Sequence, residues 1–263
     1  MPQKSSKRRK YNIELCNLIM KKLIIANWKM QLSYSASLDL AKKFTAGLKN
    51  KKTEIVVCPE YLALPWVGEI LKKSKLKLGA QDSAIRDRGA YTGEVSPLNL
   101  KTLGVKYVIL GHSERREHLH ENSAIISAKI KAALARKIIP ILCVGEKLIE
   151  KENGSTRQYL AEELRHALKD VKIGDNTDLV IAYEPVWAIS TNKNARPMAA
   201  SEAEEIQKFL KAQTAKILKK KIRVLYGGSV NAINAVEFLR QPDVDGLLVG
   251  SASLNLKEFN RIC

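Results

Sequence analysis

The chain has 263 residues, 45% of them hydrophobic, which is enough for one large α/β domain and excludes disorder throughout. No apolar run approaches the roughly 18 residues that a membrane helix needs, so no membrane partner is expected. The 45 basic and 27 acidic residues give a net charge of +18, which directs attention to anionic partners, although lysines on solvated helix faces account for much of it.

Residues 1–19 are polar and basic, with Lys4, Lys7, Arg8, Arg9 and Lys10 against a single Glu14. They lack the apolar stretch and small-residue cleavage site of a secretory signal. They read as a disordered basic extension or as a start assigned too early, since Met20 stands directly before the first strand. The domain proper is then 20–263. Cys16, Cys58, Cys143 and Cys263 have no metal or redox spacing, which fits a reducing, cytoplasmic setting.

From Lys22 onward the pattern is regular. Short apolar runs that read as strands lie at 23–26, 55–58, 76–80, 107–110, 138–144, 179–183, 222–226 and 246–249. Helical periodicity fills the intervals at 35–48, 65–71, 97–103, 122–135, 157–168, 201–218 and 231–239, with a short tail near 256–261. Ser201 with Glu204 three residues on reads as a capping box. Alternation without hairpin signals predicts an all-parallel sheet. Eight repeats in this length predict a closed eight-stranded parallel (β/α)8 barrel in a single domain. The competing architecture is an open doubly wound sheet, which would carry G-x-G-x-x-G after its first strand; Asn27-Trp28-Lys29-Met30 stands there instead.

Polar residues follow these strands. Asn27 and Lys29 come after the first and Gly111-His112-Ser113-Glu114-Arg115-Arg116 after the fourth. Glu184 follows the sixth, Gly227-Gly228-Ser229 the seventh and Gly250-Ser251 the eighth. Singly, each has an ordinary reading: a surface charge, a histidine capping a helix, a solvated carboxylate, a tight turn. In a barrel these ends converge on one face. A lysine, a histidine and a carboxylate would then ring a pocket whose two glycine-containing turns present backbone N–H groups to an anion.

Seven stretches carry a resemblance to a known family. They are Asn27-Trp28-Lys29-Met30, Gly89-Ala90-Tyr91-Thr92-Gly93-Glu94, Gly111 to Arg116, Pro140-Ile141-Leu142-Cys143-Val144-Gly145-Glu146, Tyr183-Glu184-Pro185-Val186-Trp187-Ala188-Ile189, Leu225-Tyr226-Gly227-Gly228-Ser229-Val230, and Asp245-Gly246-Leu247-Leu248-Val249-Gly250. In this order they resemble triosephosphate isomerase, from Met20 to the end of the chain. The resemblance implies a TIM barrel that interconverts dihydroxyacetone phosphate and glyceraldehyde 3-phosphate through an enediolate. It implies Glu184 as the base, and His112 as a neutral imidazole that polarises the carbonyl, as is known for that family. Lys29 and Asn27 would stabilise the enediolate oxygen, and Glu114 would hold Lys29. Backbone N–H groups of Ser190, Ser229, Gly250 and Ser251 would bind the substrate phosphate under a lid at 185–193. No metal or organic cofactor is implied. A homodimer is, built on the loop 81–94 with Thr92 reaching its partner's site; no nucleic-acid partner is expected.

Ser190, Asn192 and Ser251 stand where the family usually has glycine, and 193–201 looks longer by about three residues. A lid with altered closing rate or phosphate affinity is therefore expected. Two rival readings share the glycine turns. One is a different phosphate-binding barrel enzyme of sugar-phosphate or indole chemistry. The other is a catalytically lapsed barrel acting as a basic binding protein, which the charge favours and the Lys29, His112 and Glu184 set opposes.

Overall fold

The computed structural model describes residues 21–49, 52–174, 178–189 and 196–263. The basic extension 1–19 and residues 190–193 of the expected lid, Ser190 and Asn192 among them, lie outside the described residues.

Eight strands form in chain order: β1 Leu23–Asn27, β2 Glu54–Cys58, β3 Lys77–Ala80, β4 Tyr107–Leu110, β5 Ile139–Val144, β6 Val180–Tyr183, β7 Arg223–Tyr226 and β8 Gly246–Val249. All neighbouring pairs are parallel, and β1 also pairs with β8, Leu23 opposite Gly246, so the sheet closes. The open-sheet alternative is overturned by that pairing. Closure explains the continuous apolar runs, because both faces of every strand are buried. Leu23 and Ile25 pack inside the barrel with Val56, Ile109, Ile141 and Leu248. Their neighbours Ile24 and Ala26 pack outward with Phe44, Leu64, Val67 and Phe259. Period-two alternation thus separates two apolar layers rather than apolar from polar.

The helices are α1 Tyr34–Gly47, α2 Leu64–Leu71, α3 Pro97–Thr102, α4 Ser113–His118, α5 Ser123–Ala135, α6 Leu148–Glu152, α7 Thr156–Ala167, α8 Ala200–Leu218, α9 Ala235–Arg240 and α10 Leu256–Ile262. Two 3-10 turns lie at Val186–Ala188 and Ser251–Leu254. Caps set several of the starts. The Ser33 hydroxyl accepts from Ala36 N–H, and the Asn122 side chain accepts from Ala124 and Ile125. The expected capping box at Ser201 is not formed. The extended residue is Ala199, so Ser201 already lies in the first turn of α8 and no side chain caps it. The helix expected at 231–239 begins only at Ala235. Asn231 and Asn234 bond each other's backbone first and hold a turn there.

The loop after β3 is anchored by buried charge. Lys129 Nζ donates to Asp82 Oδ2 at 2.6 Å and to Glu121 Oε1 at 2.5 Å, and Arg115 reaches both carboxylates. Each charge there has an opposite partner, without which burial is strongly unfavourable. Among the described residues no helix is long and apolar enough to cross a membrane.

Candidate active site

The carboxyl ends of β1, β4, β6, β7 and β8 open on one cavity of about 160 Å³. Asn27, Lys29, His112, Glu184, Ser229, Gly250 and Ser251 all line it. Glu114 does not; it reaches the cavity through Lys29.

Lys29 adopts a left-handed backbone with φ of 52°. That conformation disfavours a side chain by roughly 1–3 kcal/mol and persists only where the surroundings enforce it. Asn27 Oδ1 accepts the Lys29 N–H at 3.1 Å. Gln81, at the end of β3, donates its amide to the Lys29 carbonyl at 2.9 Å and to the Cys58 carbonyl at 3.0 Å. The Lys29 ammonium then meets Glu114 Oε1 at 2.5 Å. Burial works against ionising Glu114, but the Lys29 hydrogen bond and nearby positive charge prevail and hold its carboxyl below the ordinary value.

His112 is the N-cap of α4, and its Nδ1 accepts the Glu114 N–H at 3.2 Å. A ring nitrogen that accepts carries no proton. The neutral ring therefore has its proton on Nε2, which lies 3.2 Å from Glu184 Oε1. Gly111-His112-Ser113 thus serves as strand end, cap and helix start together.

Glu184 is 2% exposed. Its Oε2 accepts the Ser113 N–H at 3.1 Å, while Oε1 is buried without a hydrogen-bond partner among the described residues. Two glycines make room for it. A Cβ on Gly145 would stand 1.7 Å from the Glu184 carbonyl oxygen, and one on Gly227 would stand 2.9 Å from its Cγ. Gly227→Ala is expected to displace the carboxylate and lower kcat between about 10- and 100-fold with the barrel intact, as misplacement near 1 Å does elsewhere. Steady-state kinetics beside a circular-dichroism melt check this; unchanged kcat would show the carboxylate has room to spare.

The two glycine-containing turns are less uniform than expected. Gly250 and Ser251 open the 3-10 turn Ser251–Leu254 at the cavity wall. Ser229 faces a competitor: its N–H and its hydroxyl both donate to the Ala188 carbonyl, at 3.1 and 2.7 Å. An anion drawing on the Ser229 N–H has to displace that carbonyl.

Several residues escaped the reading of the sequence. Gln81 stands in the sequence only as the first residue of the expected dimer loop, and nothing local marks a glutamine as the brace of a distant backbone. Glu146 accepts from Trp187 Nε1 at 2.8 Å and from the Tyr183 hydroxyl at 3.1 Å, and its carbonyl accepts the Val186 N–H. It thereby fixes the chain just past Glu184. Glu146 was visible inside a matched stretch, but without a role. Glu163, on α7, resembles any helical carboxylate, yet it is buried against Gly145 and Arg116.

Burial pushes the Glu163 carboxyl up to about 7, against the partial opposition of the Arg116 charge and the Gly145 N–H. The folded chain therefore keeps a proton that the unfolded chain releases near its ordinary value of 4.5. The stability from this group is complete below that value and is lost as pH rises through about 7. Between about pH 5 and about pH 8 the denaturant midpoint is expected to fall more steeply in the unsubstituted protein than in Glu163→Gln. Equal slopes would contradict the raised value.

The family described as triosephosphate isomerase matches residues 22–263. The chain is 41% identical over 244 residues to the triosephosphate isomerase of Thermoanaerobacter pseudethanolicus, covering 91% of this chain and 97% of that protein. It is 43% identical over 241 residues to that of Dictyoglomus thermophilum, with the same coverage. The crystal structure of triosephosphate isomerase from Bartonella henselae superposes with a TM-score of 0.82 at 34% identity, over 93% of this chain and 98% of that one.

Proposed function

The chain belongs to the triosephosphate isomerase family, and from that premise we propose how its residues share the reaction. The activity is the interconversion of dihydroxyacetone phosphate and glyceraldehyde 3-phosphate. Glu184 Oε1 takes the proton from the carbon beside the carbonyl and leaves an enediolate. It returns the proton to the neighbouring carbon, while the hydroxyl proton passes from one substrate oxygen to the other by way of His112 Nε2. His112 donates from Nε2–H to the substrate oxygens, and the Lys29 ammonium lies against the charge that develops on them. Asn27, whose Oδ1 is engaged by the Lys29 N–H, turns its amide donors to the same place. The observation that carries this reading is a buried carboxylate oxygen with no hydrogen-bond partner among the described residues, 3.2 Å from His112 Nε2, at the wall of one cavity.

The phosphate rests on the Gly250 and Ser251 end of the pocket. Ser229 joins when the Ala188 carbonyl gives way, which couples phosphate binding to movement of the Val186–Ala188 turn. Ser190 is a further donor in this scheme and lies outside the described residues. Isomerisation in D2O tests the route. An enediolate with an exchanging base puts deuterium at C2 of the glyceraldehyde 3-phosphate formed, whereas a direct hydride shift puts none there.

The working unit is proposed to be a homodimer in the cytoplasm. The loops after β1, β2 and β3 are neighbours around the barrel and expose Met30, Leu62 and Tyr91, and the first turn of α2 exposes Trp66 beside them. Apolar side chains grouped this way favour burial against a second copy. Light scattering on a sizing column at micromolar concentration is expected to give twice the mass of one chain; a monomer that is fully active would overturn it.

A further inference from the structure

Behind Glu184 lies a second cavity, of about 200 Å³, walled by Ser113, Arg116, Cys143, Gly145 and Tyr159. Glu184 lines both cavities and so stands between them. What holds it there is the side-chain pair of Arg116 and Glu163, which the reaction does not use.

Arg116 is one helical turn past His112, and its side chain is only 21% exposed. Its Nε donates to the Gly111 carbonyl at 2.8 Å, and its Nη2 donates to the Cys143 carbonyl at 3.0 Å. The same Nη2 meets Glu163 Oε1 at 3.1 Å. Glu163, 6% exposed, accepts the Gly145 N–H on its other oxygen at 3.0 Å. Gly111 is bonded directly to His112. Gly145 is the surface on which the Glu184 backbone rests, and the Glu184 N–H donates to the adjacent Val144 carbonyl at 2.8 Å. One guanidinium therefore grips the backbone behind the histidine and the backbone beside the carboxylate. Three acceptors in different directions suit the rigid fork of arginine and no other side chain.

We propose that Arg116 and Glu163 are positioning residues for the proton transfer, setting the separation of Glu184 and His112 through Gly145 and Gly111. The inference rests on the assignment of Glu184 as base and His112 as its electrophilic partner. Those two approach to 3.2 Å, and a shift near 1 Å in such a pair lowers a rate by up to about 100-fold. A pair that merely filled space between α7 and β5 would affect melting and leave the chemistry alone.

The test uses the full-length enzyme with Arg116→Met, Glu163→Ala and Glu163→Gln, and Glu184→Gln as control. Folding is checked by near-ultraviolet dichroism and melting. Arg116→Met and Glu163→Ala are expected to lower kcat between about 10- and 100-fold while KM stays within about threefold. The primary isotope effect with deuterated substrate is expected to rise, because proton transfer becomes the slow step. Glu163→Gln should recover most of kcat, since its amide oxygen still accepts from Gly145. If Arg116→Met does not fold, Arg116→Lys, which keeps the charge and loses the fork, serves in its place. Folded variants with lower melting temperature and unchanged kcat would overturn the proposal. So would a rise in KM at constant kcat, or a Glu163→Gln as slow as Glu163→Ala. Full activity in Glu184→Gln would instead overturn the base assignment beneath it.

Discussion

Glu184→Gln is expected to lower kcat by roughly 10²–10⁴, the range that a positioned general base supplies. The substitution keeps the shape of the side chain. Its amide oxygen can still accept the Ser113 N–H that now bonds Oε2 at 3.1 Å. What it removes is the second oxygen as a proton acceptor, the one beside His112 that has no hydrogen-bond partner among the described residues. The amide nitrogen would then face the proton on His112 Nε2, donor against donor. Because the proposed phosphate site lies elsewhere in the cavity, KM is expected to change far less than kcat. A melting curve close to that of the unsubstituted enzyme, beside the collapse in kcat, is the expected pair of results. A kcat near the original would remove Glu184 from the chemistry.

Lys29→Met is expected to lower kcat/KM by roughly 10²–10³, as the loss of one charged donor at a developing oxyanion does elsewhere. Methionine keeps the apolar stem and deletes the ammonium. Two consequences follow from its place in the structure. The enediolate loses the nearest positive charge in the cavity. Glu114, now bonded to Lys29 at 2.5 Å, keeps its negative charge with no cation opposite, next to where more negative charge must form. Its carboxyl, held low through that bond, is expected to shift upward. Lys29→Met with Glu114→Gln should therefore be less impaired than the sum of the two single changes. Strict additivity in that double-mutant cycle would show that Glu114 acts independently of Lys29.

Much of this site could be read from the chain before folding was considered. Asn27, Lys29, His112, Glu184, Ser229, Gly250 and Ser251 each follow an apolar run directly, and parallel strands separated by helices send such ends to one face. Strand positions held to within a residue or two, because burial on both faces leaves each run uninterrupted. Helix starts were less legible. Ser201 and Glu204 have the spacing of a capping box, but where the backbone turns helical depends on how Ala199 leaves the preceding loop. The five- and six-residue helices α6 and α4 are too short for a period to show.

The order of the strands, the apolar layers and the chemical identities at the strand ends were determined by local sequence, since alternation and turn residues act over a few positions. Closure was not, because the pairing of Leu23 with Gly246 joins opposite ends of the domain and no local pattern encodes it. The tertiary structure alone decided that Lys29 is held left-handed by Gln81, and that His112 Nδ1 accepts the Glu114 N–H. It also decided that Arg116 and Glu163 brace the carboxylate from behind. Each of these depends on which groups lose water together and which distant backbone atoms they then meet. A carboxylate on a helix face reads the same in sequence whether solvent or Gly145 awaits it.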